Sequence, residues 1–259
     1  MNKTTCRGVQ RAYLLVAFAV FLGTMLLVFP LFAFARLVPD REIRERLFLA
    51  LMKFWAGSFF TVGIQFRSRA PFPEPKDGIP GPFILVANHN SLLDTPALYF
   101  HLNRFARPLA KIELTRTPVF GWICRWITLP VDRNRPESRK QAIEKMDTYL
   151  NSGGSLLIFP EGRTDRSGKG PGHFESGAFT LSIRHSAPVI PVYISNSRYC
   201  LAPGMPMILR PGAIDMHPGP VFLPLPEEDP RAFAERVRTW FMQMHEASRP
   251  AHLPAGRTA

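Results

Sequence analysis

From Ala12 to Ala35 the chain carries no charged side chain, and this run constrains the fold more than any other stretch. A helix of that length spans the hydrocarbon core of a bilayer, whereas a helix with one face in water would show charge every turn or two. The basic segment before it, with Lys3, Arg7 and Arg11, and the Ala33-Phe34-Ala35 that precedes Arg36 also fit a secretory signal. The apolar region is unusually long for a signal, so a membrane anchor is the expectation. Arg36, Arg41, Arg44 and Arg46 outnumber Arg7 and Arg11, which tilts the C-terminal side toward the cytoplasm. Gly23 and Pro30 also permit a re-entrant hairpin that never crosses.

Residues 43–66 predict a second helix, with Leu47, Leu51, Phe54 and Trp55 on one apolar face and Arg44, Arg46 and Lys53 on a charged side. Such a helix suits an interface with lipid as well as a protein core. Five prolines and two glycines between Pro71 and Pro82 then mark a boundary. The expected organisation is an anchor over 1–66, a linker over 67–82, a catalytic domain over 83–247 and a disordered tail over 248–259.

Inside the domain, Phe83-Ile84-Leu85-Val86-Ala87 reads as a buried strand running into Asn88-His89-Asn90-Ser91-Leu92-Leu93-Asp94. Five positions turn a helix by about 500°, so His89 and Asp94 cannot share a face of one regular helix. They meet if His89 stays on the loop and Asp94 opens the next helix. The carboxylate would then hold one ring nitrogen, leaving the other to accept a proton from an alcohol. Ser91-Leu92-Leu93-Asp94 fits a capping box equally well, which would make Asp94 structural, although Pro96 sits awkwardly far into such a helix.

A second buried strand, Ser155-Leu156-Leu157-Ile158-Phe159, leads into Pro160-Glu161-Gly162-Arg163. A glycine there lets backbone N–H groups approach an anion, with Arg163 or Arg166 supplying charge. Short strands at 108–112, 128–131 and 188–194 alternate with helices at 119–127, 136–152, 174–185 and 230–245. This alternation predicts an α/β fold, a mixed and mostly buried sheet flanked by helices, with the site at one sheet edge. Gly168-Lys169-Gly170-Pro171-Gly172 reads as a flexible lip without the spacing of a nucleotide-binding loop. His185 and His245 read as surface residues.

Taken together, Asn88-His89-x4-Asp94, Val131-Asp132-Arg133, Phe159-Pro160-Glu161-Gly162-Arg163 and Val189-Ile190-Pro191-Val192 resemble, in order, the four blocks of the glycerolipid acyltransferases, the family of 1-acylglycerol-3-phosphate acyltransferases. The resemblance covers about Phe83 to Ile194. It implies acyl transfer from acyl-CoA or acyl carrier protein to a lysophospholipid hydroxyl, with His89 and Asp94 catalytic and no tightly bound cofactor. It further implies direct transfer rather than an acyl-enzyme on Ser91. Asn88, Ser91, Arg133, Glu161, Gly162 and Arg163 would lie on the acceptor side, and Pro191 would shape the acyl side. Two positions depart from the family pattern: Arg163 precedes Thr164 instead of following it, and Glu175 replaces a common lysine.

A net charge of +12 suits a nucleic acid, an anionic bilayer or a phosphorylated substrate. No zinc-like Cys/His spacing and no basic run interleaved with aromatics points to nucleic acid, so anionic membrane lipids are the expected partner. Cys6, Cys124 and Cys200 are odd in number and far apart, as in a reducing compartment. Two other functions are compatible with the sequence: the same chemistry on glycerol 3-phosphate or another lyso-lipid, and a basic membrane-surface protein without catalysis.

Overall fold

The computed structural model describes residues 3–73, 81–132, 134–165, 167, 169–204 and 208–248, with side chains from residue 10 onward. The uncharged run lies within one continuous helix, α1 (Lys3–Arg36), which passes through Gly23 and Pro30 without a break. The chain reverses only after it, at residues 37–40. Asp40 then caps α2 (Arg41–Gly57), accepting from the Ile43 N–H at 2.8 Å. The two helices lie antiparallel, with Phe32 against Phe48 and Phe21 against Trp55 at 5.6 Å between ring centroids.

The expected second helix needs two corrections. Its buried face carries Phe48, Leu49, Met52, Trp55 and Ala56, whereas Leu47 and Phe54 are exposed. At 100° per residue, Leu47 and Phe54 point away from the side that α1 and the domain cover. The helix also ends at Gly57. A 3-10 turn (Ser58–Val62) follows, and Gly63, at φ 73°, redirects the chain into strand β1 (Ile64–Ser68). The two-residue alternation there, with Ile64 and Phe66 buried and Gln65 and Arg67 exposed, is a strand signal. The stretch read as anchor and linker therefore contributes a strand to the sheet. The remainder of the expected linker, residues 74–80, and most of the expected tail, residues 249–259, lie outside the described residues.

The other strands are β2 (Ile84–Ala87), β3 (Ala106–Lys111), β4 (Leu129–Val131), β5 (Ser155–Ile158), β6 (Val189–Ser195) and β7 (Gly212–Pro218). Their order across the sheet is β1-β7-β6-β2-β5-β3-β4. Strands β2 to β6 are mutually parallel; β7 runs antiparallel to β6, and β1 pairs parallel with β7. Central strands β2 and β5 are buried on both faces, hence their unbroken apolar sequences.

Alternate residues feed two cores. Leu85, Ala87, Leu157 and Ile190 face a layer made of α1, α2, α3 (Asp94–His101) and α4 (Phe120–Ile127). Ile84, Val86, Leu156 and Val189 face α5 (Pro136–Asn151), α6 (Gly177–His185) and α8 (Pro230–Ala247). A one-turn helix, α7 (Ser197–Cys200), follows β6. The result is a three-layer α/β sandwich, and the five parallel strands end on one common edge. His185 and His245 are half-buried and bonded rather than free on the surface. His185 Nε2 lies 3.0 Å from Asp147 Oδ1, and His245 Nδ1 lies 2.9 Å from the Tyr193 hydroxyl.

Candidate active site

Strand β2 ends at Ala87, so His89 falls on the loop at the common edge, and α3 begins at Asp94. The His89 Nδ1 and Asp94 Oδ2 are 2.9 Å apart. The same oxygen accepts from the backbone N–H of Asn90 at 2.6 Å and of Ser91 at 2.7 Å. One carboxylate therefore makes both the contact to His89 and the capping contact, reaching back over the loop and fixing the ring together with the backbone beneath it. Pro96 fits because the helix starts at Asp94, leaving the proline in the first turn, where a backbone N–H has no helical partner.

An oxygen already accepting two N–H groups takes a third donor from Nδ1, so that nitrogen carries the proton and Nε2 presents its lone pair. Nε2 makes no hydrogen bond among the described residues. The ring stacks on Phe159 with centroids 4.2 Å apart, and its side chain keeps 16% exposure while Asp94 is fully buried. A proton-accepting nitrogen thus stands at the surface on a buried support.

Glu161, beyond β5, ties the loops together. Its Oε1 accepts from the backbone N–H of His89 at 3.0 Å and its Oε2 from that of Gly172 at 3.1 Å. Burial pushes the Glu161 carboxyl above the usual range, opposed by these two backbone hydrogen bonds. Gly162 takes φ 68° in the turn closed by its N–H to the Phe159 carbonyl at 3.0 Å. Arg163 is exposed beside it. Arg133 and Arg166 lie outside the described residues; Asp132, which precedes Arg133, follows β4, three strands from β2 on the same edge.

Three residues expected on the acceptor or acyl side make hydrogen bonds within the protein. Asn88 is buried and acts as a surrogate strand segment: its amide nitrogen donates to the Ile194 carbonyl at 2.9 Å, and its amide oxygen accepts from the Ile194 N–H at 2.6 Å. Ser91 is fully buried, and its hydroxyl accepts from the Leu93 N–H at 3.2 Å. Both point inward because β6 and the start of α3 need their hydrogen bonds. Pro191 is buried within β6 opposite Val86, and its carbonyl accepts from Gly219 N–H at 2.8 Å.

Sequence reasoning missed the loop's other supports. The Asp165 N–H donates to the His89 carbonyl at 2.6 Å, and Arg198 Nη1 donates to the Asp165 carbonyl at 3.1 Å. Arg238 Nε donates to the Gly172 carbonyl at 2.8 Å. These contacts to backbone carbonyls cross large sequence separations, which no residue spacing announces. Among the described residues no cluster of three or more His, Cys, Asp or Glu side chains could hold a metal ion.

Comparison with known proteins identifies the family and the fold. The profile of the family described as Acyltransferase matches residues 64–195, just over half of the 259 residues. The chain is similar to a 1-acyl-sn-glycerol-3-phosphate acyltransferase of Pseudomonas aeruginosa, 31% identical over 167 residues, 61% of this chain and 62% of that protein. It is also similar to a chloroplastic 1-acyl-sn-glycerol-3-phosphate acyltransferase of Brassica napus, 27% identical over 169 residues, 63% of this chain and 47% of that protein. The matched part thus spans about half to three-fifths of these relatives' own length. The crystal structure of the 1-acyl-sn-glycerophosphate (LPA) acyltransferase from Thermotoga maritima superposes with a TM-score of 0.73 at 21% identity, covering 93% of this chain and 99% of that one. That likeness concerns the fold.

Proposed function

The chain belongs to the acyltransferase family, and from that premise we propose that it moves a fatty acyl group from a thioester of CoA or acyl carrier protein to the free hydroxyl of 1-acyl-sn-glycerol 3-phosphate, giving phosphatidate. The observation that carries this reading is the His89–Asp94 pair, at 2.9 Å, with the second ring nitrogen open at the sheet edge. His89 Nε2 takes the hydroxyl proton as the acceptor oxygen bonds to the thioester carbonyl carbon. The tetrahedral intermediate collapses with cleavage of the C–S bond, and the proton on Nε2 passes to the departing sulfur. The burial of Ser91 supports direct transfer over an acyl-enzyme. Glu161 and Gly162 keep the loops in register, and Arg163 and Arg133 are the cations we assign to the acceptor phosphate.

The anchor reading rests on α1. Residues Gln10–Arg36 are apolar and long enough to cross a membrane. One side packs on α2, α4 and the 3-10 turn, while Leu15, Phe18, Leu22, Leu26 and Phe34 on the other sides are exposed. Such a one-sided surface suits a helix that enters the bilayer with its domain alongside. Thioester donors are cytoplasmic, so the catalytic domain works on that side.

The test is acyl transfer in membranes carrying the wild type or His89→Ala, with labelled lysophosphatidate and each donor offered separately. Phosphatidate made by the wild type alone is the expected result. Equal turnover by the variant would remove His89 from the mechanism, and vesicle binding without turnover by either would favour a binding protein. One observation favours a different acceptor. Glu175 is exposed, with its Cγ 3.7 Å from where a Cβ on Gly162 would stand, so a carboxylate lies near the proposed phosphate site. A panel including glycerol 3-phosphate and lyso-lipids lacking a terminal phosphate separates the two readings.

A further inference from the structure

At the end of the sheet opposite the dyad, an open cleft of ≈ 520 Å³ lies between the first turn of α2 and the outer face of α5. Its floor is formed by Arg107, near the start of β3, by Leu129, which begins β4, and by Tyr149. Four cations, Arg41, Arg44, Arg107 and Lys145, meet two carboxylates there. One carboxylate, Glu45, is already engaged. Tyr149 donates its hydroxyl to Glu45 Oε1 at 2.6 Å, and Arg41 Nη1 lies 3.6 Å from Oε2. Burial pushes the Tyr149 hydroxyl up to about 12, so it retains its proton for that bond.

The other three cations are not neutralised in this way. Arg44 Nη1 donates to the carbonyls of Val38 and Pro39 at 2.7 and 3.1 Å, and Arg107 Nη1 to that of Trp126 at 2.9 Å. Carbonyls fix a guanidinium without cancelling its charge. Arg107 lies over the Tyr149 ring, 4.8 Å from its centroid, and its Nε is buried with no acceptor among the described residues. Lys145 is exposed and has no partner among the described residues. Arg44 and Lys145, with Arg107 beside the Tyr149–Glu45 pair, thus face one remaining carboxylate, Glu144.

Position says where an anion would come from. Arg41 and Arg44 lie in the first turns of α2 after the 37–40 turn, and Phe34, Leu37 and Ile43 around that turn are exposed. Basic residues next to an apolar segment stand at headgroup level. We propose that this cleft binds the phosphodiester headgroup of an anionic phospholipid, at a site separate from the one where the lysophospholipid is acylated. The proposal takes from the function above only that the hairpin of α1 and α2 enters a bilayer.

The full-length protein is partitioned onto vesicles of phosphatidylcholine alone and of phosphatidylcholine with phosphatidylglycerol, a phosphodiester lipid with no lysophospholipid hydroxyl to acylate. Lys145→Gln and Arg44→Gln are compared with Arg139→Gln, which removes the same charge from the other side of α5. Each cleft variant should lose about fivefold in affinity for the anionic vesicles, keep its binding to neutral vesicles and, for Lys145→Gln, its melting temperature, while Arg139→Gln keeps both. Equal losses in all three variants, or none, would overturn the proposal by making the attraction diffuse or absent. So would inorganic phosphate that raises the wild-type melting temperature but not that of Lys145→Gln, with vesicle binding indifferent to Lys145, since the ligand would then be a soluble phosphate. Failure of the wild type to bind neutral vesicles as well would instead defeat the membrane reading itself.

Discussion

At the scale of single residues, the site depends on one carboxylate oxygen serving three donors. Asp94→Asn replaces one oxygen by a donor and sets it against the ring and the loop backbone; kcat should fall by about 10²- to 10⁴-fold, as for His89→Ala. Circular dichroism should separate the two variants, with only Asp94→Asn losing thermal stability. Glu161 gives a pH prediction. Both its oxygens accept, so protonation removes one acceptor and loosens the His89 loop. Because burial raises its pKa, turnover should begin to fall at a higher pH on the acid side than an ordinary carboxylate would give. For stability the sign is set by the same shift. The folded state binds this proton more readily, so the contribution of Glu161 is most favourable below the unfolded value and is lost as pH rises through the folded one. Glu161→Gln should remove that inflection from both profiles. The dyad was legible because its partners are five residues apart. The inward turn of Asn88 and Ser91 was not, since their partners, Ile194 and Leu93, compete with substrate for the same polar atoms.

At the scale of elements, each loop of the site is pinned to a neighbouring strand or helix. Asn88→Ala would leave the Ile194 N–H buried without its partner and the Ile194 C=O with only the 3.5 Å contact from Asn90 Nδ2, at a cost of about 2 kcal/mol. Chemical denaturation should show it as a lower midpoint with an unchanged slope. Gly121 in α4 tests another close approach: a Cβ there would stand 2.5 Å from the Thr115 carbonyl oxygen, so Gly121→Ala must displace the 3-10 turn at Ile112–Arg116. The unbroken apolar strands and capped helices could be read from the sequence, since burial on both faces and Asp229-Pro230 leave direct marks. Strand β1 was hidden because a helical pattern runs into it, and only the switch from a period of 3.6 to 2 after Gly63 separates them. Strand β7, Gly-Ala-Ile-Asp-Met-His-Pro, buries only its middle and alternates too little to stand out.

At the scale of the whole molecule, the apolar hairpin proposed as an anchor is also part of the protein core. Val28 and Phe32 on its inner side are almost wholly buried, whereas Leu26 and Phe34 are exposed. Leu26→Glu with Phe34→Glu should release the protein from membranes at an unchanged melting temperature, while Val28→Asp should lower the melting temperature as well. The pairing of β1 with β7 extends this to how the molecule is made. Ile64 leaves the ribosome long before Gly212, its register partner, so the hairpin and the first edge strand exist for most of synthesis with no sheet to join. Closing so long a loop is slow. During that interval lipid is the available cover for the hairpin's apolar surface, and insertion into the bilayer would shield the nascent chain from aggregation until β7 arrives.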